Sequence, residues 1–227
     1  MTRAIILAAG RGERLRPLTD HLPKPLLRVR HRPLIEWHLH ALSRAGVREV
    51  VINKAWLEDR FPAALGDGRR FRLSIHYSTE GRDHGGALET AGGIAKALPL
   101  LGEAFWVVAG DVFVPGFEFD ANTAQRFAAG NDLGHLWLVP NPPHHPQGDF
   151  GIAPGGRAVR EAAERFTWAS VGLFRAEMFA GIAPGTRMPL RPLLEQAIDA
   201  GRLAAERWHG DWADVGTAER LAALNGA

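Results

Sequence analysis

The sequence has no cysteine among its 227 residues. That excludes disulfides, thiolate nucleophiles and cysteine-ligated zinc, and it leaves the redox compartment open. No stretch approaches the roughly 18 consecutive apolar residues that suggest a membrane-spanning helix. The opening MTRAIILAAG shares an arginine, an apolar run and small residues with secretory signals. Its apolar run is short, however, and Arg11, Glu13, Arg14 and Arg16 follow at once, so a buried first strand is the better reading. Residues 1–32 also lack any aromatic, yet they hold eight of the 27 Lys and Arg residues and two of the 25 acids. That segment is strongly cationic in a chain whose net charge is only +2. Such asymmetry suits an anion. A nucleic-acid surface would more often carry a longer basic face with aromatics, so a small phosphorylated ligand fits better.

Two familiar phosphate loops are absent as well. No G-x-x-x-x-G-K-[ST] occurs, and Gly10-Arg11-Gly12 is not followed by the third glycine of a dinucleotide-binding turn. What is present is LAAGRGERLRPLT at 7–19, then Pro23-Lys24-Pro25. Ala8, Ala9 and Gly10 let a backbone approach a base and ribose closely. Arg14 and Lys24 supply charge to phosphates, and the prolines beside Lys24 restrict its backbone.

Around this loop the pattern alternates strand and helix. AIILAA (4–9), EVVIN (49–53), LSIHYS (73–78) and FWVVAGD (105–111) read as strands. Leu34, Ile35, Leu39, Leu42 and Ala45 recur at helical spacing, residues 57–65 look helical despite Pro62, and 89–98 reads as a helix. This predicts an α/β fold with a mostly parallel, Rossmann-like sheet flanked by helices. Ligands bind such sheets at the carboxyl ends of the strands, where the arginine-rich loop, Asn53, Glu80 and Asp111 fall. In the second half, 135–141, 149–153, 157–160 and 166–174 are closely spaced strands, predicting a small antiparallel lobe. Residues 190–198 repeat as a helix ended by Gly201, and Thr217 can cap a last helix. With 46% hydrophobic residues and no repeat or linker, one domain over 1–227 is expected.

The loop, Gly110-Asp111 at the end of an apolar strand, Asp214-Val215-Gly216-Thr217 and Leu88-Glu89-Thr90-Ala91-Gly92-Gly93 together resemble the sugar-1-phosphate nucleotidylyltransferases over nearly the whole chain. Within that family, VINKAWL, NPPHHPQGDF and DWADVGTAERL are most similar to the branch that joins UTP to N-acetylmuramic acid 1-phosphate in peptidoglycan recycling. The resemblance implies the nucleotide-diphospho-sugar transferase fold. The nucleotide half would span about 1–111 and the sugar half about 112–227, without the C-terminal β-helix of many relatives. It implies Ala8, Gly10, Gly12, Glu13, Arg14, Lys24, Asn53 and Gly92 at the nucleotide, with Arg14 and Lys24 catalytic. Asp111 and Asp214 would hold Mg²⁺, a hard cation that takes few protein ligands. The implied partners are UTP and a sugar-1-phosphate, with no nucleic acid and no membrane, in the cytoplasm; oligomeric state stays open.

Asp149 is a candidate for the sugar hydroxyls, since a carboxylate accepts their hydrogen bonds. Trp168 and Trp212 are candidates to flank the sugar. His144 and His145 are read as loop residues, because adjacent side chains seldom point the same way. Two departures from the family pattern stand out: Ala109 replaces an expected Asn, and the 81–86 stretch is a longer loop. Three other readings remain at this stage. One is a nicotinamide-dependent oxidoreductase, which lacks the third glycine and an acidic residue at 53. Another is an inactive nucleotide-sensing subunit. The third is a guanylyl- or thymidylyltransferase acting on mannose- or glucose-1-phosphate.

Overall fold

The structure, a computed structural model, describes residues 2–226. Four strands carry the first half: β1 (Arg3–Leu7), β2 (Glu49–Lys54), β3 (Ser74–Thr79) and β4 (Ala104–Ala109). They pair in parallel in the order β3-β2-β1-β4. Helices α1 (Leu34–Arg44), α2 (Arg60–Leu65), α3 (Glu80–His84) and α4 (Glu89–Ala97) connect them. Alternate residues of β1 explain the layering. Ala4 and Ile6 face a core that holds Ile35, Leu39 and Leu42 of α1. Ile5 faces the opposite core with Ala91 and Ile94 of α4. A strand buried on both faces reads as a continuous apolar run, as AIIL does.

The second half contributes α5 (Ala121–Ala129), β5 (Gly134–Val139), β6 (Gly151–Ala153), β7 (Arg157–Val159), β8 (Thr167–Arg175), α6 (Arg191–Asp199), β9 (Leu203–Arg207) and α7 (Ala218–Leu224). The expected antiparallel strands are there, but they continue the same sheet. Beyond β4 the order runs β8-β5-β9-β7-β6, giving nine strands in all. β8 is antiparallel to both neighbours, and β9 lies parallel to β5. The reason is β8, whose nine residues pair along β4 on one edge and β5 on the other. The stretch expected as a loop at 81–86 begins instead as α3, closed by Gly85 at φ 78°. Among the described residues no helix is long and apolar enough to cross a membrane.

Candidate active site

A cleft of about 660 Å³ opens at the carboxyl ends of β1, β2 and β4. The loop after β1 forms one of its walls. Gly12 has φ 70°, and a Cβ there would sit 3.1 Å from Thr19 and 3.2 Å from Lys24, so only glycine fits this turn without strain. Thr19 Oγ1 donates to the Gly12 carbonyl (2.9 Å), and the buried Leu15 anchors the one-turn helix at Glu13–Leu15. Ala8, Gly10, Gly12, Glu13 and Arg14 all line the cleft. Arg14 is exposed and has neither an ion-pair nor a hydrogen-bond partner among the described residues. A guanidinium presented this way is open to an incoming phosphate.

Lys24 enters from the Pro-Lys-Pro turn. Its side chain is 10% exposed, and Nζ donates to Asp111 Oδ2 at 2.6 Å. Asp111 is 42% exposed, so the pair has a buried cationic end and a solvent-facing anionic end. A short ribbon brings the second aspartate close. Ala213–Asp214 pairs antiparallel with Val112–Phe113, and the Val215 N–H donates to the Asp111 carbonyl (2.9 Å). His38 of α1 secures this ribbon from inside, with Nε2 3.0 Å from the Val112 carbonyl. Burial lowers its pKa from 6.5 to about 4, so the imidazole stays neutral and donates. Asp214 accepts two hydrogen bonds from Arg220 (2.6 and 2.8 Å) and lies 3.1 Å from His144 Nε2.

Asn53 borders the cleft, but its side chain is committed inward. Its Oδ1 accepts from the Ala8 N–H (2.7 Å), and its Nδ2 donates to the buried Glu80 (2.7 Å). Gly92 is not part of the cleft lining. Its N–H donates to the Met188 carbonyl, and a Cβ would meet the Thr186 carbonyl at 2.2 Å, so it serves close packing of α4 against 186–188. That packing carries Arg187 to the rim, where it lines the cleft and pairs with Glu89 at 2.9 Å. Asp149 also lies off the lining. It accepts from the Trp168 N–H (2.8 Å) and from His145 (3.2 Å). His144 and His145, expected as plain loop residues, thus reach Asp214 and Asp149 respectively. Trp212 donates to the Ala169 carbonyl (3.0 Å), and Trp168 to the Val171 carbonyl (2.9 Å).

His38, Arg187 and Arg220 emerge from the structure alone, and Glu80 gains its partners there. Only Glu80 carried a signal, as an acid at a strand's carboxyl end. The others act through contacts that spacing cannot reveal.

A parallel sheet presents a cationic loop and Asp111 at its strand ends, and Asp214 sits on the adjoining ribbon, outside the cleft lining; this is an α/β arrangement with a cleft at the carboxyl ends of its strands. The chain belongs to the nucleotidyl transferase family, whose model matches residues 3–226. It is 47% identical over 227 residues to the N-acetylmuramate alpha-1-phosphate uridylyltransferase of Neisseria meningitidis serogroup B, covering 96% of this chain and 95% of that protein. A glucose-1-phosphate thymidylyltransferase of Streptomyces griseus is 29% identical, covering 98% of this chain and 65% of the relative. A solved Bacillus anthracis structure containing sucrose superposes with a TM-score of 0.84 at 20% identity, covering 100% of this chain and 94% of the other; that likeness concerns the fold. The α/β fold and the family resemblance expected from sequence are therefore borne out.

Proposed function

We propose that this chain joins UTP and N-acetyl-α-muramic acid 1-phosphate, giving UDP-N-acetylmuramic acid and pyrophosphate. The observation that carries nucleotidyl transfer is that the Lys24–Asp111 pair and Arg14, which has no side-chain partner among the described residues, line one cleft. The choice of UTP and the muramic sugar rests on the 47% identical relative, which spans nearly the same length.

In this reaction a phosphate oxygen of the sugar-1-phosphate attacks the α-phosphorus of UTP in line. A new P–O bond forms, the bond to the bridging oxygen breaks, and its electron pair leaves with pyrophosphate. The attacking phosphate is anionic near neutral pH, so no strong base is required, and positioning and charge neutralisation supply the catalysis. Ala8, Gly10 and Gly12 hold the nucleotide at the loop. Arg14 neutralises the triphosphate, and Lys24 balances charge from beneath.

The chemistry of two carboxylates supports Mg²⁺ as the metal they would hold. Asp111 and Asp214 offer hard oxygen donors on one ribbon, and a cation that keeps several waters needs no larger cage. Among the described residues no group of three or more His, Asp and Glu gathers as one. Bound there, Mg²⁺ would neutralise phosphate charge; Lys24 and Arg220 balance the same carboxylates in the structure.

The nucleotide half would run to about residue 111 and the sugar half from 112. On the sugar side, Asp149 fixes Trp168 and His145. UTP as substrate implies action in the cytoplasm. Mass spectrometry of products from UTP and N-acetylmuramic acid 1-phosphate tests the proposal: UDP-N-acetylmuramic acid and pyrophosphate in equal amounts are expected, and unreacted substrates would refute it.

A further inference from the structure

The cleft has two walls from distant parts of the sequence: the loop that starts at Ala8, and the start of α4 at Leu88. A buried chain of hydrogen bonds ties them together. The Ala8 N–H donates to Asn53 Oδ1 (2.7 Å), Asn53 Nδ2 donates to Glu80 Oε1 (2.7 Å), and the Leu88 N–H donates to Glu80 Oε2 (2.8 Å). Glu80 has no exposed surface, so it does not itself meet a ligand. Both of its partners are N–H donors. An ionised carboxylate accepts on both oxygens and satisfies them, whereas an amide would turn an NH₂ toward one of them. Gly93 of α4 passes directly over the junction; a Cβ there would lie 2.6 Å from Glu80 Oε1 and 2.7 Å from Asn53 Nδ2.

We propose that Glu80 is a positioning residue for the nucleotide, its buried carboxylate fixing the spacing of the two cleft walls through Asn53 and Leu88. This rests on the cleft being the nucleotide site. Without the clamp the walls move independently, and ordering them on binding weakens nucleotide affinity. The sugar-1-phosphate, held by the other half of the chain, is spared.

A variant cycle tests the clamp. Glu80→Gln leaves one N–H facing an NH₂, and Asn53→Asp sets two carboxylates against each other. In the double variant Glu80→Gln/Asn53→Asp the hydrogen bonds close again. The new carboxylate at 53 accepts from Ala8 and from the new amide at 80, whose oxygen accepts from Leu88. Gly93→Ala crowds the same junction while leaving every hydrogen-bonding group in place, and it serves where another single variant fails to fold. The readouts are calorimetric Kd for whichever nucleoside triphosphate the wild type binds tightest, KM for the sugar-1-phosphate, and Tm.

Each single variant is expected to raise the triphosphate Kd tenfold or more with sugar KM within twofold. The double variant is expected to return Kd to within threefold of wild type. A lowered Tm with no nucleotide-selective shift overturns the proposal, as does a double variant that binds more weakly than both singles. A wild type that prefers another triphosphate overturns the choice of UTP, and the clamp is then judged with that triphosphate. A wild type that binds none overturns both.

Discussion

Lys24 and Asp111 form an unequal pair, one end nearly buried and the other half exposed. Removing the lysine leaves the aspartate in place and takes away the nearly buried cation of the cleft. Lys24→Ala is therefore expected to lower kcat/KM by tens- to a hundred-fold, since a hydrogen bond to a charged group is worth about 1.5–3 kcal/mol. Among the described residues the Arg28 side chain donates to the His31 carbonyl, Arg30 lies over the Phe113 ring, and neither lines the cleft. Steady-state assays of Arg28→Ala and Arg30→Ala should stay within about threefold of wild type; equal losses at all three positions would mean a diffuse basic patch. Asp111→Asn and Asp214→Asn each keep side-chain shape and remove charge, so turnover should vanish while the circular dichroism spectrum persists. Near wild-type rates in either variant at ordinary Mg²⁺ concentration would remove that aspartate from the mechanism. Residues of the contiguous loop were legible because one local motif fixes them. The place of Glu80 at a strand end was legible but its role was not, and His38 was not legible at all, because they act on partners 27 and 74 positions away.

Among elements, the pattern was legible where a strand is buried on both faces or a helix on one. The apolar strands β1, β2 and β4 and helix α1 follow their patterns closely. Helix α5, ANTAQRFAA, buries only Ala124 and Phe127, and β9, LAAER, has no β-branched or aromatic residue; tertiary contacts rather than local pattern define both. Their caps separate stability from function. Asp120 accepts from the Thr123 N–H (2.7 Å) at the start of α5, and neither it nor any other residue of α5 lines the cleft. Thr217 accepts from the Arg220 N–H (3.3 Å) at the start of α7, and Arg220 holds Asp214. Replacing either cap by alanine is expected to cost about 1 kcal/mol in urea unfolding. Only Thr217→Ala should also lower kcat. Equal kcat in the two variants would contradict a link from α7 to Asp214.

Across the whole molecule, one sheet joins both halves, and buried ionisable groups set its response to acid. His38 has its pKa lowered to about 4 from 6.5 by burial. Between those values the unfolded chain binds a proton that the folded protein refuses, so stability falls as pH falls from 6.5 toward 4. Glu80 acts in the opposite sense. Burial raises its pKa, only partly offset by the Leu88 and Asn53 hydrogen bonds and by the charges of Lys96 and His84, so its ionisation costs stability as pH rises past the usual carboxylate range. In urea unfolding at pH 7 and pH 5, wild type should lose about 2 kcal/mol more than His38→Gln over that interval. Equal losses would contradict a neutral buried imidazole. The parallel pairing of the first four strands was legible from alternation alone, though their order in the sheet was not. The joining of the second half into the same sheet was not, because β8 pairs with strands from both halves.

Uridylyl transfer to a muramic sugar phosphate is the activity proposed for this cleft. Pyrophosphate release measured over four nucleoside triphosphates and the 1-phosphates of N-acetylmuramic acid, N-acetylglucosamine, glucose and mannose tests it most directly. UTP with N-acetylmuramic acid 1-phosphate should give the highest kcat/KM, and glucose and mannose 1-phosphates should trail. A purine triphosphate ahead of UTP, or glucose- or mannose-1-phosphate ahead by tenfold or more, would contradict it.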